Sequence, residues 1–164
     1  SAASIVPIGY VSTSYTARGE PTVKGDVDRW RSQYPAVQGI FFDEQSSKAG
    51  DEQFYRDVSQ YAKAQGFVLT VGNPGSDVPS SFLDTVDVML AYESSGTPPL
   101  ASLTKYAAER THYGIIPYGA ALDTAYAKSA SSSVAYVFIT DDTLPNPWDT
   151  LPGSFESLLN ALEP

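Results

Sequence analysis

Two acidic side chains stand next to each other after a short apolar run, and a third acidic side chain follows a later run. Asp43 and Glu44 come directly after Ile40–Phe42, and Glu93 follows Val88–Tyr92. Cleavage of glycosidic bonds commonly uses two carboxyl groups about 5 to 10 Å apart, one of them protonated. The pattern therefore predicts a carboxylate centre with one general acid. The alternative role for each residue is a helix cap or a solvated loop charge.

Short apolar runs alternate with amphipathic stretches along the whole chain, which indicates parallel βαβ units. Several of the runs lack polar alternation, as is typical of strands that are covered on both faces. Polar residues follow the runs, and the carboxyl ends of parallel strands share the sheet edge where ligands bind. The six predicted strands are Val6–Val11, Gly39–Asp43, Phe67–Val71, Val86–Tyr92, Tyr113–Tyr118 and Val134–Thr140.

Apolar residues at helical spacing predict a helix in each of five connecting or terminal segments. The first two helices are expected to pack their apolar stripes on the sheet, and Ser154 is the expected N-cap of the last helix. The stripes are Val23, Val27, Trp30 and Tyr34 after Pro21; Phe54, Val58 and Tyr61; Leu100, Leu103 and Tyr106; and Phe155, Leu158, Leu159 and Leu162, and a further short helix is predicted around Ala121–Ser129.

The composition favours one globular domain over residues 1–164. Hydrophobic residues make up 42% of the chain, and no segment has the composition of a linker. The formal net charge of -9 disfavours nucleic acid and anionic membranes as partners. No apolar run approaches the roughly 20 residues of a membrane span. Ser1–Ser4 lacks the features of a signal peptide, so we expect any signal to have been removed.

The sequence lacks the motifs of other catalytic classes. The sole histidine, His112, stands near the start of a predicted strand and hence at the wrong edge, and there is no Gly-x-Ser-x-Gly elbow. Gly72–Gly75 lacks the dinucleotide fingerprint, and Asp141–Asp142 lacks both the EF-hand spacing and an accompanying histidine pair. We therefore identify neither a metal site nor a cofactor site.

Four motifs occur in this chain in the same order as in a known family. Their residues are Gly9–Tyr15, Gly39–Glu44, Val71–Gly75 and Asn146–Pro152. On these motifs the chain resembles the spherulin 4 family from about Val6 to the C-terminus. The resemblance implies a secreted (β/α) barrel of glycoside hydrolase type, whose characterised fungal members cleave galactosaminogalactan. The catalytic Asp-Glu pair and later Glu of the family correspond to Asp43, Glu44 and Glu93.

The chain also departs from that family, because members begin with two further βα units and this chain starts at the equivalent of the third strand. A complete barrel takes about 250 residues, so we expect a partial TIM-barrel-type α/β fold with about six parallel strands. Unpaired strand edges invite association. We therefore predict either a homo-oligomer that covers the open edges or six strands that draw together.

The resemblance predicts endo-acting hydrolysis of an amino-sugar polysaccharide. We expect Glu44 to protonate the leaving oxygen, while Glu93 or Asp43 stabilises the transition state or Asp43 orients an acetamido group. Two alternatives remain, namely a non-catalytic carbohydrate-binding or structural protein and an inactive truncated fragment. The candidate sugar-stacking residues are Tyr10, Tyr15, Tyr92, Tyr118 and Trp148, for which core packing is an equal alternative, and Asn73 is the candidate for a hydroxyl hydrogen bond.

Overall fold

Six parallel strands form one sheet in the computed structural model, which describes residues 5–163. Each strand pairs with the next strand in the chain, as in a (β/α) barrel, whereas a doubly wound sheet reverses its order. The predicted α/β fold of partial barrel type is therefore confirmed. The strands are β1 Ile8–Ser12, β2 Gly39–Asp43, β3 Leu69–Gly72, β4 Val88–Tyr92, β5 Tyr113–Ile115 and β6 Tyr136–Val137.

The later strands are shorter than predicted. The fifth strand ends at Ile115 instead of Tyr118, and the sixth covers two residues instead of Val134–Thr140. Pro117 interrupts the ladder because it has no N–H group to donate, although its carbonyl still accepts from the Thr140 N–H at 3.2 Å. β2 has its predicted bounds, whereas β1 begins two residues later and ends one residue later than predicted.

Helices follow the strands where amphipathic stretches were predicted, with corrections to their buried faces. Tyr34 ends the first helix and is 54% exposed, so the prediction that it packs on the sheet is wrong. The second helix buries a stripe that begins at Tyr55 rather than Phe54. The α-helices are α1 Glu20–Gln33, α2 Glu52–Ala64, α3 Leu100–Leu103, α4 Thr124–Ala130 and α5 Phe155–Leu162, and the 3-10 segments are Ser14–Thr16, Ser80–Phe82 and Thr104–His112.

The N-caps of α4 and α5 differ in their hydrogen bonds. Asp123 is the N-cap of α4, and its side chain accepts hydrogen bonds from two backbone N–H groups, those of Ala125 and Tyr126. Ser154 is the N-cap of α5 by position, but its side chain makes no capping hydrogen bond. None of the helices within residues 5–163 is long and apolar enough to cross a membrane.

The chain divides into two compact units, with the boundary between Met89 and Leu90 inside β4. In the first unit, Val23 and Val27 of α1 are fully buried, as are Ile40 and Phe42 of β2. The second unit has two core clusters, which are Ala91, Leu103, Tyr106, Ile115, Ala130 and Val134, and Ala127, Ile139 and Leu158. The prediction of a single domain stays a prediction.

Side chains of the first unit cover the outer edge of β1. The Pro7 carbonyl accepts from Gln38 on the β2 side, so by alternation the Tyr10 and Ser12 carbonyls point away from β2. The Trp30 indole donates to the Tyr10 carbonyl at 2.9 Å, and the Arg18 guanidinium donates to the Ser12 carbonyl at 2.7 Å. These acceptors of the edge strand are therefore already occupied.

Candidate active site

One face of the β1–β2 pair carries two of the residues that were singled out from the sequence, Tyr10 and Asp43. Tyr10 pairs with Phe41 and Ser12 pairs with Asp43 in the parallel register, so these four side chains share a face, which we call the site face. Val11 of β1 points to the opposite face and is 1% exposed, whereas Tyr10 is 55% exposed. The site face is therefore accessible at the carboxyl end of β1.

Asp43 is held by two hydrogen-bond donors, one on each carboxylate oxygen. The Tyr10 hydroxyl donates to Oδ2 at 2.8 Å, and the Asn73 side-chain amide donates to Oδ1 at 2.8 Å. The orientation of that amide is set by Gly75, whose N–H donates to the Asn73 Oδ1 at 3.0 Å. Each oxygen of the Asp43 carboxyl group therefore has its own hydrogen-bond donor, which fixes the orientation of the group.

Glu44 lies on the same face as Asp43, although adjacent strand residues normally point to opposite faces. Its φ of 53° places it in the left-handed region, which turns the chain immediately after β2. The hydroxyls of Ser12 and Ser14 both donate to its Oε2, the latter at 3.3 Å. No hydrogen bond to Oε1 occurs within the part of the chain that the structure describes, so this oxygen is the one available to a ligand.

The loop after β1 forms hydrogen bonds to the backbone of the two acidic residues. The Thr13 N–H donates to the Asp43 carbonyl at 2.9 Å, and the Tyr15 N–H donates to the Glu44 carbonyl at 2.8 Å. Ser14, Tyr15 and Thr16 all have positive φ. A left-handed conformation costs a residue other than glycine about 1–2 kcal/mol. The loop Ser14–Thr16 and Glu44, which contact each other, therefore both store backbone strain.

The segment after Glu44 is fixed by buried groups. The Gln45 N–H donates to the Asn73 carbonyl at 3.0 Å, and the Ser46 N–H donates to the Tyr55 hydroxyl at 2.7 Å. Burial raises the pKa of the Tyr55 hydroxyl above its usual value, against the opposing effect of its hydrogen bonds to Thr13 and Ser46. Tyr55 therefore stays neutral and can donate.

The predicted binding residues of the first unit have different environments. The ring of Tyr10 stacks on Phe41 at 6.2 Å between centroids, and Tyr15 is 61% exposed. Asn73 is buried and its amide holds Asp43, which makes it a positioning group in this structure. Its predicted hydrogen bond to a sugar hydroxyl stays a prediction, as do the stacking roles of the two tyrosines.

The remaining predicted residues lie in the second unit. Glu93 directly follows β4, as predicted, and it is half-buried. The Tyr92 hydroxyl donates to the Gly96 carbonyl at 2.9 Å. Tyr118 meets Trp148 edge to face, with 5.6 Å between ring centroids. The roles of these four residues stay predictions.

Sequence reasoning did not assign site roles to Ser12, Ser14, Thr13 and Tyr55. The first three form a run of hydroxyl residues directly after β1, and that run was a usable signal for hydrogen bonds to a neighbouring acidic pair. Tyr55 begins a stripe of i, i+3, i+4 and i+7 residues in α2, which marks a buried face but not the hydrogen bonds of its hydroxyl.

Two solved structures share the fold. Sph3 of Aspergillus clavatus, solved in complex with GalNAc, superposes with a TM-score of 0.75 at 20% identity, over 94% of this chain and 71% of that chain. A BexX/CysO complex of Amycolatopsis orientalis superposes with a TM-score of 0.52 at 12% identity, over 94% of this chain and 66% of that chain. At these identities the likeness supports the fold alone.

Sequence comparison gives the family. Spherulin-4 of Physarum polycephalum is 35% identical over 97 residues, which are 58% of this chain. That match spans only 29% of the length of the relative. Residues 1–162 match the Spherulation-specific family 4, which is nearly the whole chain. The chain therefore belongs to the Spherulation-specific family 4.

Proposed function

We propose that this protein hydrolyses glycosidic bonds in a polysaccharide that contains N-acetylgalactosamine. The observation that carries the proposal is the unequal bonding of two adjacent carboxyl groups on one accessible face. Asp43 accepts a hydrogen bond at each oxygen, whereas Glu44 keeps Oε1 for a ligand. Paired carboxyl groups with different environments are the usual basis for dividing acid and anion roles.

Glu44 is the proposed general acid. In its protonated form, the proton on Oε1 passes to the glycosidic oxygen as the bond to the sugar carbon breaks, while Oε2 stays bonded to Ser12 and Ser14. Asp43, as a carboxylate, faces the positive charge that develops on the sugar ring. Glu93 is the alternative for this second role. Water then adds to the sugar carbon and gives its proton to the Glu44 Oε1, which restores the acid.

The substrate class rests on two kinds of support. Exposed tyrosine rings at positions 10 and 15 offer flat surfaces beside the two carboxyl groups, which suits stacking on a sugar ring. The structural neighbour Sph3 was solved with GalNAc bound, and this chain belongs to a family that includes spherulin-4. For a sugar that carries an acetamido group, Asp43 would orient the acetamido nitrogen so that its carbonyl oxygen attacks the sugar carbon.

The test is reducing-end release from N-acetylgalactosamine-containing polysaccharide. Glu44→Gln keeps the size of the side chain but has no acidic proton, so release should fall by about 100-fold or more. Glu156→Gln, at an exposed position in α5, is the matched control and should keep the wild-type rate. Binding of the polysaccharide by the wild type without any release would favour a non-catalytic carbohydrate-binding protein.

We also propose that the protein is secreted, as the resemblance to the spherulin 4 family implies. We further propose that a second copy covers those parts of the strand edges that Trp30 and Arg18 leave open. Ile8 on the first edge strand and Tyr136 on the last are both exposed apolar side chains. Light scattering coupled to size exclusion tests the second point, and a monomer at high concentration would contradict it.

A further inference from the structure

The left-handed turn at Glu44 needs an external support. A φ near 53° is unfavourable for a glutamate by itself. The Glu44 side chain reaches Ser12 because the chain turns at this residue. Residues held in such conformations persist when their surroundings fix them, and they concentrate at functional sites. The groups that donate to the Glu44 carbonyl therefore support this conformation.

The Glu44 carbonyl accepts from two groups of the loop after β1. One is the Tyr15 N–H, and the other is the Thr13 hydroxyl at 2.8 Å, which also lies 3.0 Å from the Asp43 carbonyl. Thr13 is fully buried, so its hydroxyl cannot exchange these partners for solvent. It therefore contacts the backbone of both acidic residues at once.

The direction of the hydrogen bond between the Thr13 and Tyr55 hydroxyls follows from the number of protons that each hydroxyl can donate. The hydroxyl of Thr13 has one proton, which it must donate to a carbonyl, so in its 3.1 Å contact with the Tyr55 hydroxyl it can only accept. The Tyr55 oxygen in turn accepts from the Ser46 N–H. The chain thus runs in one direction, from Ser46 through Tyr55 and Thr13 to Glu44.

We infer that Thr13 and Tyr55 are positioning residues that hold Glu44 in its left-handed conformation and so set its carboxyl group beside Asp43 on the site face. This inference rests on the proposed function for its catalytic consequence only. Both ends of the relay lie on one short segment, Glu44 and Ser46, so the two hydroxyls fix the curvature of the chain directly after β2. Both side chains are fully buried, so they act on the site through Glu44.

Three variants test the relay. Thr13→Val keeps the shape of the side chain but removes the hydroxyl, Thr13→Ser keeps the hydroxyl, and Tyr55→Phe removes the donor behind it. In the valine and phenylalanine variants, kcat should fall about 10- to 100-fold with KM nearly unchanged, because a displacement of about 1 Å costs up to that factor. The serine variant should recover most of kcat.

A second readout does not depend on activity. The carboxyl 13C resonance of Glu44, assigned by comparison with Glu44→Gln, should move in Thr13→Val and Tyr55→Phe and return to its wild-type position in Thr13→Ser. An unmoved resonance in folded Thr13→Val and Tyr55→Phe would overturn the inference, as would a serine variant as impaired as the valine one. A moved resonance in a protein without hydrolytic activity would support the relay and refute the proposed function, so the two failures are distinguishable.

Discussion

Adding one methyl group at Gly72 should destabilise the protein through a clash with Gln45. A Cβ atom at this position would lie 1.8 Å from the Gln45 Oε1 and 3.2 Å from a methyl group of Val86. Ordinary contacts begin near 3.4 Å, so the amide must withdraw by about 1.6 Å. Gln45 is 1% exposed and has little room to do so.

The cost of Gly72→Ala follows from this overlap. Extra methyl groups in packed cores cost about 1–3 kcal/mol, and the upper half of that range applies here because the Gln45 amide is buried against the Met89 sulfur and Val86 crowds the added methyl group. The midpoint of thermal unfolding should fall by about 5–10 °C. The backbone itself is not the obstacle, since Gly72 does not have a positive φ.

A double-mutant cycle isolates the contact. Gln45→Ala removes the obstructing amide, whose Oε1 has no hydrogen-bond partner within the described residues, so Gly72→Ala should cost much less in that background. We expect a coupling free energy of about 1–2 kcal/mol from urea unfolding. Additive effects of the two substitutions, or a Gly72→Ala variant as stable as the wild type, would refute the reasoning.

Three further substitutions test the charges and caps around the core. Burial acts to raise the pKa of Asp87, but hydrogen bonds from Lys63 and Thr70 lower it below its usual value. Asp87→Asn should therefore be less stable than the wild type at pH 7. In urea unfolding, the difference in stability between the two proteins should shrink below about pH 4. Burial raises the pKa of Tyr126 to about 12; stability should therefore decline as the pH rises from about 10 to about 12, and Tyr126→Phe should show a shallower decline in the same assay. Asp123→Ala removes the side-chain cap of α4 and should cost about 1 kcal/mol. An unchanged pH dependence in either of the first two variants, or an unchanged unfolding midpoint in the third, would contradict the corresponding assignment.

The order and number of the strands could be predicted because apolar runs and helical stripes alternate in the sequence. Gly39–Asp43 was predicted to the residue, since it is a continuous apolar run that ends at a carboxylate. The fifth strand was predicted too long because an apolar pattern does not register the missing N–H of Pro117. Hydrophobicity alone also put Phe54 on the buried face of α2 in place of Tyr55, whose hydroxyl is satisfied inside the protein.

The acidic pair was found from the sequence, but the means of bringing both carboxyl groups to one face was not. The alternation of a strand predicts opposite faces for Asp43 and Glu44. In the structure, the left-handed backbone conformation of Glu44 brings its side chain to the same face as Asp43. This conformation is rare for a glutamate, and no residue pattern predicts it. Its support comes from the hydroxyls of Thr13 and Tyr55, which are far from Glu44 in sequence. The periodicity of α2 marks the buried ring of Tyr55, but it does not predict the hydrogen bonds of the hydroxyl.

The division of roles between Glu44 and Asp43 can be measured most directly by changing the leaving group. A dinitrophenyl glycoside of an N-acetylgalactosamine oligosaccharide needs no protonation to depart, whereas the polysaccharide does. Glu44→Gln should therefore lose polysaccharide hydrolysis by about 100-fold or more while it still cleaves the activated glycoside, and Asp43→Asn should lose both activities. Equal losses of Glu44→Gln on the two substrates, or full polysaccharide hydrolysis by that variant, would contradict the assignment of Glu44 as the acid.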